Sequence, residues 1–349
     1  MFKSLSKKVV VDLGSSKIRI VMLDELKNEV WELSPVDFKA KVLEEDACIA
    51  RRKDNHKLLA IGSEALIMRG RLDSFAEIVF PFSQSRILDQ EAGAILMKEL
   101  FKRVFEGLIL NPSVMVITTA NTTALNRKLL SQFFYELGFS RVNLIAEPLA
   151  AAIGSGIPVA DASGTLFLQM GASGASLNMI ALGSILFTEN SDFGGNLLNT
   201  KIIEHLASNE NFIISIDSAE TIQKQVFSLV PAQKNLLVTG KTKNGLNPLE
   251  LKIKSDDLEP IVDLFKLEYQ SLVDALFTKI PPDLTKDALQ KGLLLSGGFA
   301  QTAGLEEFLS NQLSLPVALL DEPSLLASMG ASAMLKNIEL FSSSLSLDA

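Results

Sequence analysis

Residues 165–180, TLFLQMGASGASLNMI, contain the clearest indication of the fold of this chain. Two apolar runs, typical of buried strands, flank a turn of small residues, Gly171, Ala172, Ser173 and Gly174. We therefore predict a β-hairpin, in which the small residues let backbone N–H groups approach a phosphate closely. Taken alone, the stretch is more simply interpreted as an ordinary hairpin turn.

The pattern occurs a second time, in residues 9–21, VVVDLGSSKIRIV. When the two stretches are superposed, Asp12 lies at the position of Gln169. Gly14 then lies at the position of Gly171. Two strand–turn–strand units of the same pattern predict a chain of two duplicated halves that face one ligand. The copies differ in charge, because the carboxylate of the first is a neutral amide in the second.

The composition limits the class of protein. A chain of 349 residues, 47% of them hydrophobic, with a mean hydropathy of +0.26, is expected to form two domains with sizeable cores. No apolar run is long enough for a transmembrane helix, and the first residues lack the apolar segment of a signal peptide. The single cysteine, Cys48, excludes a disulfide framework and is typical of a reducing cytoplasm. The two histidines lie far apart, which disfavours a histidine metal site, and a net charge of −8 disfavours a nucleic-acid partner.

Strands and helices alternate along the rest of the chain. Residues 122–137 are predicted to form an amphipathic helix whose apolar face includes Leu125 and Leu129. Asp89 is a predicted N-cap of another helix, and the proline pair at 281–282 predicts a break after a long one. This alternation is typical of the α/β class.

Three turns contain glycine where an apolar run ends, in residues 12–16, 171–174 and 296–298. They resemble the turns that hold nucleotide phosphates and adenosine in the fold shared by actin, sugar kinases and heat-shock chaperones. More narrowly, residues 145–158, IAEPLAAAIGSGIP, are similar to the pattern IEEPMAAAIGAGLP of the MreB family, the bacterial actins of cell shape. The resemblance covers residues 8–336.

The resemblance implies an actin-like α/β fold, with two duplicated ribonuclease-H-like halves around a nucleotide cleft and a small subdomain in each half. The first half would consist of a large subdomain, residues 1–30, 76–144 and 316–349, and a small one, residues 31–75. The second half would consist of a large subdomain, residues 145–181 and 251–315, and a small one, residues 182–250. The last helix would thus return to the first half.

The resemblance also implies a ligand, ATP or ADP, with Mg²⁺ as its companion ion. Asp12 would hold Mg²⁺ through water, and Glu220 would accept hydrogen bonds from the ribose hydroxyls. The residues at the family's nucleotide-binding positions are Asp12, Gly14, Ser15, Ser16, Lys17, Gly171, Ala172, Ser173, Gly174, Gly195, Glu220, Lys224, Gly297 and Gly298. Lys17 and Glu220 have simpler interpretations, as a turn lysine and a solvated helix residue.

Two amides stand at the positions of the family's hydrolytic carboxylates. Asn126 replaces the glutamate of the family's VERR segment, and Gln169 replaces the aspartate of its second phosphate turn. An amide can orient a water molecule but cannot accept its proton as a general base. We therefore expect no intact catalytic residue and very slow or absent ATP hydrolysis. The alternative is an active ATPase or a small-molecule kinase of this fold, for which Asp12 is the remaining candidate base.

The function that the resemblance implies is that of an MreB-like cytoskeletal protein. It would form or join filaments involved in cell shape, in the cytoplasm at the inner face of the membrane, with itself or a related bacterial actin as partner. Membrane contact would be made by Phe2 and Leu5, or by Leu108, Ile109 and Leu110. A frayed terminus and a buried strand are the alternatives for these segments. For the whole chain, the alternative is an adaptor that docks on filaments without polymerising.

Overall fold

A computed structural model of the chain describes residues 7–23, 38, 42–105, 112–243, 245, 248–336 and 346–347. The strands are β1 (Lys8–Leu13), β2 (Lys17–Leu23), β3 (Val42–Asp46), β4 (Ile49–Arg52), β5 (Leu58–Ile61), β6 (Ala76–Val79), β7 (Phe82–Ser83), β8 (Arg86–Ile87), β9 (Ser113–Thr118), β10 (Arg141–Ala146), β11 (Thr165–Met170), β12 (Ala175–Ala181), β13 (Ser184–Ser191), β14 (Phe212–Ile213), β15 (Asn235–Thr242), β16 (Pro248–Lys254), β17 (Leu293–Ser296), β18 (Val317–Leu319) and β19 (Ser346–Leu347). The helices are α1 (Gly62–Ile67), α2 (Gln90–Val104), α3 (Ala124–Glu136), α4 (Glu147–Gly154), α5 (Gly195–Asn209), α6 (Ile216–Gln225), α7 (Glu259–Lys279), α8 (Pro282–Lys291), α9 (Leu305–Leu313) and α10 (Leu326–Lys336). Among the described helices, none has the length and apolar character that crossing a membrane requires.

Two compact units make up the chain, residues 1–160 with 324–349, and residues 161–323. The first unit includes α4, beyond the predicted limit at residue 144, because α4 packs closely on α10. A side chain at Gly330 of α10 would overlap the backbone of α4 at Ala150. The second unit includes β18, which pairs with β17. The division of each unit into a large and a small subdomain stays a prediction.

The main sheet of the first unit has the strand order β19-β10-β9-β1-β2-β3. β1 pairs antiparallel with β2, which confirms the hairpin predicted in residues 9–21, and parallel with β9. β9 in turn pairs parallel with β10. The β-branched residues of β1 are typical of a central strand, and Val9 and Val11 pack in one core with Leu96 of α2 and Phe134 of α3.

The main sheet of the second unit has the order β13-β12-β11-β17-β18. β11 and β12 form the antiparallel hairpin predicted in residues 165–180. β12 pairs antiparallel with β13, whereas β11, β17 and β18 run parallel. The strands β3-β2-β1-β9-β10 of the first unit have the same order and the same directions. The duplication that the two hairpins predicted is therefore present in the two sheets.

Smaller sheets accompany the two main ones. The first unit contains a sheet of order β5-β4-β6 and the hairpin β7-β8, and the second unit contains a sheet of order β14-β15-β16. β3 falls in the predicted small subdomain of residues 31–75, but it pairs with β2 of the main sheet. β13 likewise falls in residues 182–250 but pairs with β12. Both strands extend the main sheets, because their residues continue the antiparallel ladders of the two hairpins.

Candidate functional site

In the first unit, the candidate residues lie at one edge of the main sheet. β1, β9 and β10 are parallel, and their register places Asp12 beside Ile117 and Ile117 beside Ile145. The carboxyl ends of these strands therefore meet at the same edge, which is where ligands bind in open α/β sheets. Asp12 near the end of β1 and Glu147 directly after β10 both lie there.

Asp12 is a buried carboxyl group with a cationic partner. Its Oδ2 atom lies 3.2 Å from Nη1 of Arg19 on β2, and the Nε of Arg19 also bonds Glu44 at 2.8 Å. Burial raises the pKa of Asp12, and the Arg19 guanidinium offsets part of that rise. The positive charge of Arg19 thus already offsets the negative charge through which Asp12 would attract a cation.

The donor set does not fit a directly coordinated Mg²⁺ ion. Mg²⁺ prefers carboxylate oxygens and water in octahedral geometry, and Asp12 is already bonded to Arg19. The described residues contain no group of three or more histidine, cysteine, aspartate or glutamate side chains that could hold a metal ion. Gln169 and Asn126 supply amides where the family pattern has carboxylates. A contact between Asp12 and Mg²⁺ through water stays a prediction.

The turn that follows Asp12 is held by the surrounding chain. The backbone N–H of Gln84 donates to Oγ of Ser15 at 3.3 Å, and the N–H of Ala47 donates to the carbonyl of Ser16 at 2.8 Å. Lys17 lies 2.8 Å from Asp46, with 40% of its side chain exposed. A phosphate contact by Lys17 would therefore replace an existing ion pair.

Asn126 and Glu147 occupy the first turns of two helices in the first unit. The backbone N–H of Asn126 donates to Oγ1 of Thr123, the N-cap residue of α3, at 3.2 Å. Glu147 is the first residue of α4 and is half-buried. The sequence-based site omitted Glu147, although the segment IAEP retains the second glutamate of the family pattern IEEP. Glu147 is therefore a carboxylate at this sheet edge that the predicted site, which contained no catalytic base, did not include.

In the second unit, the predicted glycine turns come together. The turn between β11 and β12 is closed by a hydrogen bond from the N–H of Gly171 to the carbonyl of Gly174, at 2.8 Å. The start of α5 packs on this turn, since the N–H of Gly195 donates to Gly171 at 3.3 Å and that of Asn196 donates to Ala172 at 2.8 Å. We call residues 171–174 with 194–196 the glycine cluster.

The close approach inside the glycine cluster requires glycine at position 194. A Cβ atom there would overlap the backbone of Gly171, Ala172 and Gly174. The third predicted turn also lies against β11, because a Cβ atom at Gly297 would overlap the carbonyl of Met170. The structure thus places Gly171, Gly195 and Gly297 close together at the N-terminus of α5. The positive end of the helix dipole favours an anion there, although the N–H groups of Gly195 and Asn196 already donate to the turn.

A buried network holds the segment before α5. The hydroxyl of Tyr269 on α7 donates to the carbonyl of Phe193 at 2.8 Å. The N–H of Phe193 donates to Oγ of Ser191 at 3.0 Å, and this hydroxyl donates to Glu268 at 2.7 Å. Burial raises the pKa of Tyr269 well above its ordinary value. The sequence did not indicate Ser191, Glu268 or Tyr269, because they position the backbone and belong to no recognisable motif.

Glu220 and Lys224 lie on α6, next to α5. They form an ion pair of 2.5 Å one helical turn apart, and their side chains are 44% and 68% exposed. Gln223 of the same helix lies beside Gly195. α6 is thus a neighbour of the glycine cluster, while a ribose contact by Glu220 stays a prediction. Gln169, the amide of the second turn, is buried in β11.

The predicted membrane-contact residues lie outside the described part of the chain. These are Phe2 and Leu5 near the N-terminus, and Leu108, Ile109 and Leu110. Their roles stay predictions from the sequence.

Sequence comparisons place the chain among cell-shape proteins. A family profile described as "MreB/Mbl protein" matches residues 6–343. The cell shape-determining protein Mbl of Bacillus subtilis (strain 168) is 23% identical over 337 residues, which cover 96% of this chain and 97% of Mbl. The cell shape-determining protein MreB of Escherichia coli (strain K12) is 25% identical over 312 residues, covering 86% of this chain and 88% of MreB.

Solved structures show the same fold. MreB5 of Spiroplasma citri bound to AMPPNP superposes with a TM-score of 0.89 at 23% identity, covering 97% of this chain and 98% of MreB5. A MamK double helical filament gives a TM-score of 0.74 at 16% identity, covering 95% of this chain and 99% of MamK. These matches, together with the duplicated sheets, confirm an actin-like fold.

Proposed function

The chain belongs to the MreB/Mbl family of cell shape-determining proteins, and on that premise we propose that it forms cytoskeletal filaments, alone or together with a related bacterial actin. The observation that carries the proposal is the family match over residues 6–343 of a chain with duplicated sheets. The likeness to MamK, solved as a double helical filament, supports it. Filaments of this kind are head-to-tail assemblies, which need two complementary surfaces but no catalytic residue. Sedimentation and electron microscopy of the purified chain test the proposal.

We further propose that the chain binds ATP or ADP. The glycine cluster supports this, because it brings small residues and the N-terminus of α5 together. MreB5 was solved with AMPPNP and with ADP. The proposed ligand contacts are Asp12, Gly14, Ser15, Ser16, Lys17, Gly171, Ala172, Ser173, Gly174, Gly195, Glu220, Lys224, Gly297 and Gly298. A ligand that binds only the folded chain raises its melting temperature, so a shift with ATP is the direct test.

Slow hydrolysis is the third part of the proposal. A well-placed general base contributes a factor of about 10²–10⁴ to a rate. Asn126 and Gln169 cannot act as bases, and Asp12 is bonded to Arg19. Glu147 is a further carboxylate at the same sheet edge, and we propose that it supports whatever turnover the chain has. Filaments with slow turnover are expected to be long-lived.

The proposed location is the cytoplasmic face of the cell membrane. Phe2 with Leu5, or Leu108 with Ile109 and Leu110, would insert into the bilayer, as the sequence predicts. Binding of the whole chain to lipid vesicles, compared with variants in which either apolar group is replaced by serine, tests this part.

A further inference from the structure

The hairpin β15–β16 of the second unit has one buried face and one exposed face. Val238 and Ile253 point to the core and are 5% and 1% exposed. Side chains alternate along a strand, so Lys241, Lys252 and Lys254 lie on the opposite face, and all three are exposed. Leu237, which is 61% exposed, pairs directly with Lys252 across the ladder. We call these three lysines with Leu237 the lysine face.

The lysine face carries a net positive charge, because its three lysines outnumber Glu250, the carboxylate that alternation along β16 places on the same face. Some lysines elsewhere in the described chain form ion pairs, such as Lys201 with Glu204 at 2.8 Å and Lys17 with Asp46 at 2.8 Å. Within the described residues, no ion pair involves Lys241, Lys252 or Lys254.

The local charge is opposite to that of the whole chain. Residues 234–254 contain five lysines and one acidic residue, Glu250, in a chain with a net charge of −8. An exposed basic strand face in an acidic protein attracts a negatively charged surface. The hairpin therefore fits an anionic partner, although the chain as a whole does not.

The residue types on this face favour a lipid surface over a nucleic acid. Nucleic-acid sites use arginine forks and aromatic rings that stack on bases, and residues 234–254 contain no arginine and no aromatic residue. Basic side chains around an exposed leucine are typical of contacts with anionic headgroups, where the apolar group enters the interface. We propose that the lysine face binds the surface of a membrane that contains anionic lipids.

This surface is separate from the membrane contacts predicted for Phe2, Leu5 and Leu108. It lies in the second unit, on a sheet that holds none of the proposed nucleotide contacts. The lysine face therefore adds a second, electrostatic contact to the proposed membrane location, and it does not depend on filament formation or nucleotide binding. Each lysine near an anionic bilayer strengthens binding roughly fivefold, so three together contribute on the order of a hundredfold.

Vesicle co-sedimentation of the full chain tests the inference. The vesicles are made of phosphatidylcholine alone, or of equal parts of phosphatidylcholine and phosphatidylglycerol. We expect the chain to bind the anionic vesicles more tightly, and the triple variant Lys241→Ala, Lys252→Ala and Lys254→Ala to lose on the order of a hundredfold in affinity. High salt should weaken the binding of the unmodified chain, because surface charges are screened.

The matched control is Lys57→Ala, Lys98→Ala and Lys286→Ala. These lysines are also exposed, and within the described residues they form no ion pair, so the loss of charge is the same. The control should bind anionic vesicles with an affinity close to that of the unmodified chain, and both variants should keep its melting temperature. The proposal would be overturned if the two triple variants lost the same affinity for anionic vesicles, or if the variant of Lys241, Lys252 and Lys254 lost none. It would also be overturned if the chain bound a single-stranded oligonucleotide through the same lysines and more tightly than the vesicles.

Discussion

The hydroxyl of Tyr269 on α7 donates a hydrogen bond to the carbonyl oxygen of Phe193, at 2.8 Å. Tyr269 is 1% exposed and Phe193 is 5% exposed, and their rings pack edge to face, 6.4 Å apart. Phe193 directly precedes Gly194 and Gly195, which contact the turn between β11 and β12. A long helix thus holds the segment that shapes the glycine cluster.

The variant Tyr269→Phe should destabilise the second unit and weaken nucleotide binding. It leaves the buried carbonyl of Phe193 without its donor, which costs about 1–3 kcal/mol. Denaturant unfolding and the melting shift with ATP measure the two effects. Tyr135→Phe is the matched control, because the other tyrosine of the chain is 45% exposed and should tolerate the change. Equal stability of the two variants would show that the hydrogen bond does not hold the segment.

Tyr269 should also make stability depend on alkaline pH. Burial raises the pKa of its hydroxyl above the value of about 10 that it has in the unfolded chain. The folded state then keeps a proton that the unfolded state releases, so the free energy of unfolding falls as the pH rises above about 10. Each pH unit costs about 1.4 kcal/mol until the folded pKa is reached. The difference in stability between the unmodified chain and Tyr269→Phe, measured against pH, should narrow in this range; a constant difference would contradict it.

Two glycine variants test separately the packing of the glycine cluster and its proposed binding of nucleotide. Gly194→Ala forces a Cβ atom into the backbone of residues 171–174 and should cost about 1–3 kcal/mol or more of stability. Gly171→Ala has room, because the nearest atom would be 3.7 Å away, so the chain should keep its stability. We expect Gly171→Ala to lose the melting shift with ATP, since its methyl group would stand where a phosphate approaches the turn. If Gly171→Ala kept the full rise in melting temperature with ATP, the turn between β11 and β12 would not be part of the nucleotide site.

Replacement of Glu147 tests the source of any hydrolysis. Glu147→Gln keeps the size of the side chain but removes the base, so phosphate release should fall by about 10²-fold or more. The double variant Asn126→Glu with Gln169→Asp restores the family's carboxylates and should raise the rate. If Glu147→Gln left the rate of phosphate release unchanged, Glu147 would not be the general base. Rapid turnover by the unmodified chain would show that the amides do not prevent hydrolysis.

Local patterns predicted the elements where a single residue fixes the backbone. The predicted N-cap, Asp89, accepts a hydrogen bond from the N–H of Ala92 at 2.9 Å. Both predicted hairpins are confirmed by their strand pairing. Two buried apolar runs that flank a glycine turn are compatible with few other structures. The proline pair at 281–282 was taken only as a break, but α8 begins at Pro282, since the first position of a helix needs no N–H donor.

Other features depend on tertiary structure and could not be predicted in this way. Leu125 and Leu129 belong to the predicted apolar face of α3 but are 66% and 47% exposed. Helical periodicity indicates that a helix forms, whereas the width of the buried face depends on the sheet it packs against. Arg19 was missed as the partner of Asp12, because only strand register brings the two together. Glu147 was missed although the family pattern contains it, because its place at the sheet edge depends on the parallel pairing of β9 and β10.

Sedimentation followed by negative-stain electron microscopy measures filament formation itself. The full-length chain should be examined with and without ATP, with and without anionic vesicles, alone and with a related bacterial actin. We expect the chain to pellet with ATP and to appear as filaments, alone or together with the related actin. A chain that stays monomeric under all these conditions would contradict the proposed filament formation and favour an adaptor that does not polymerise.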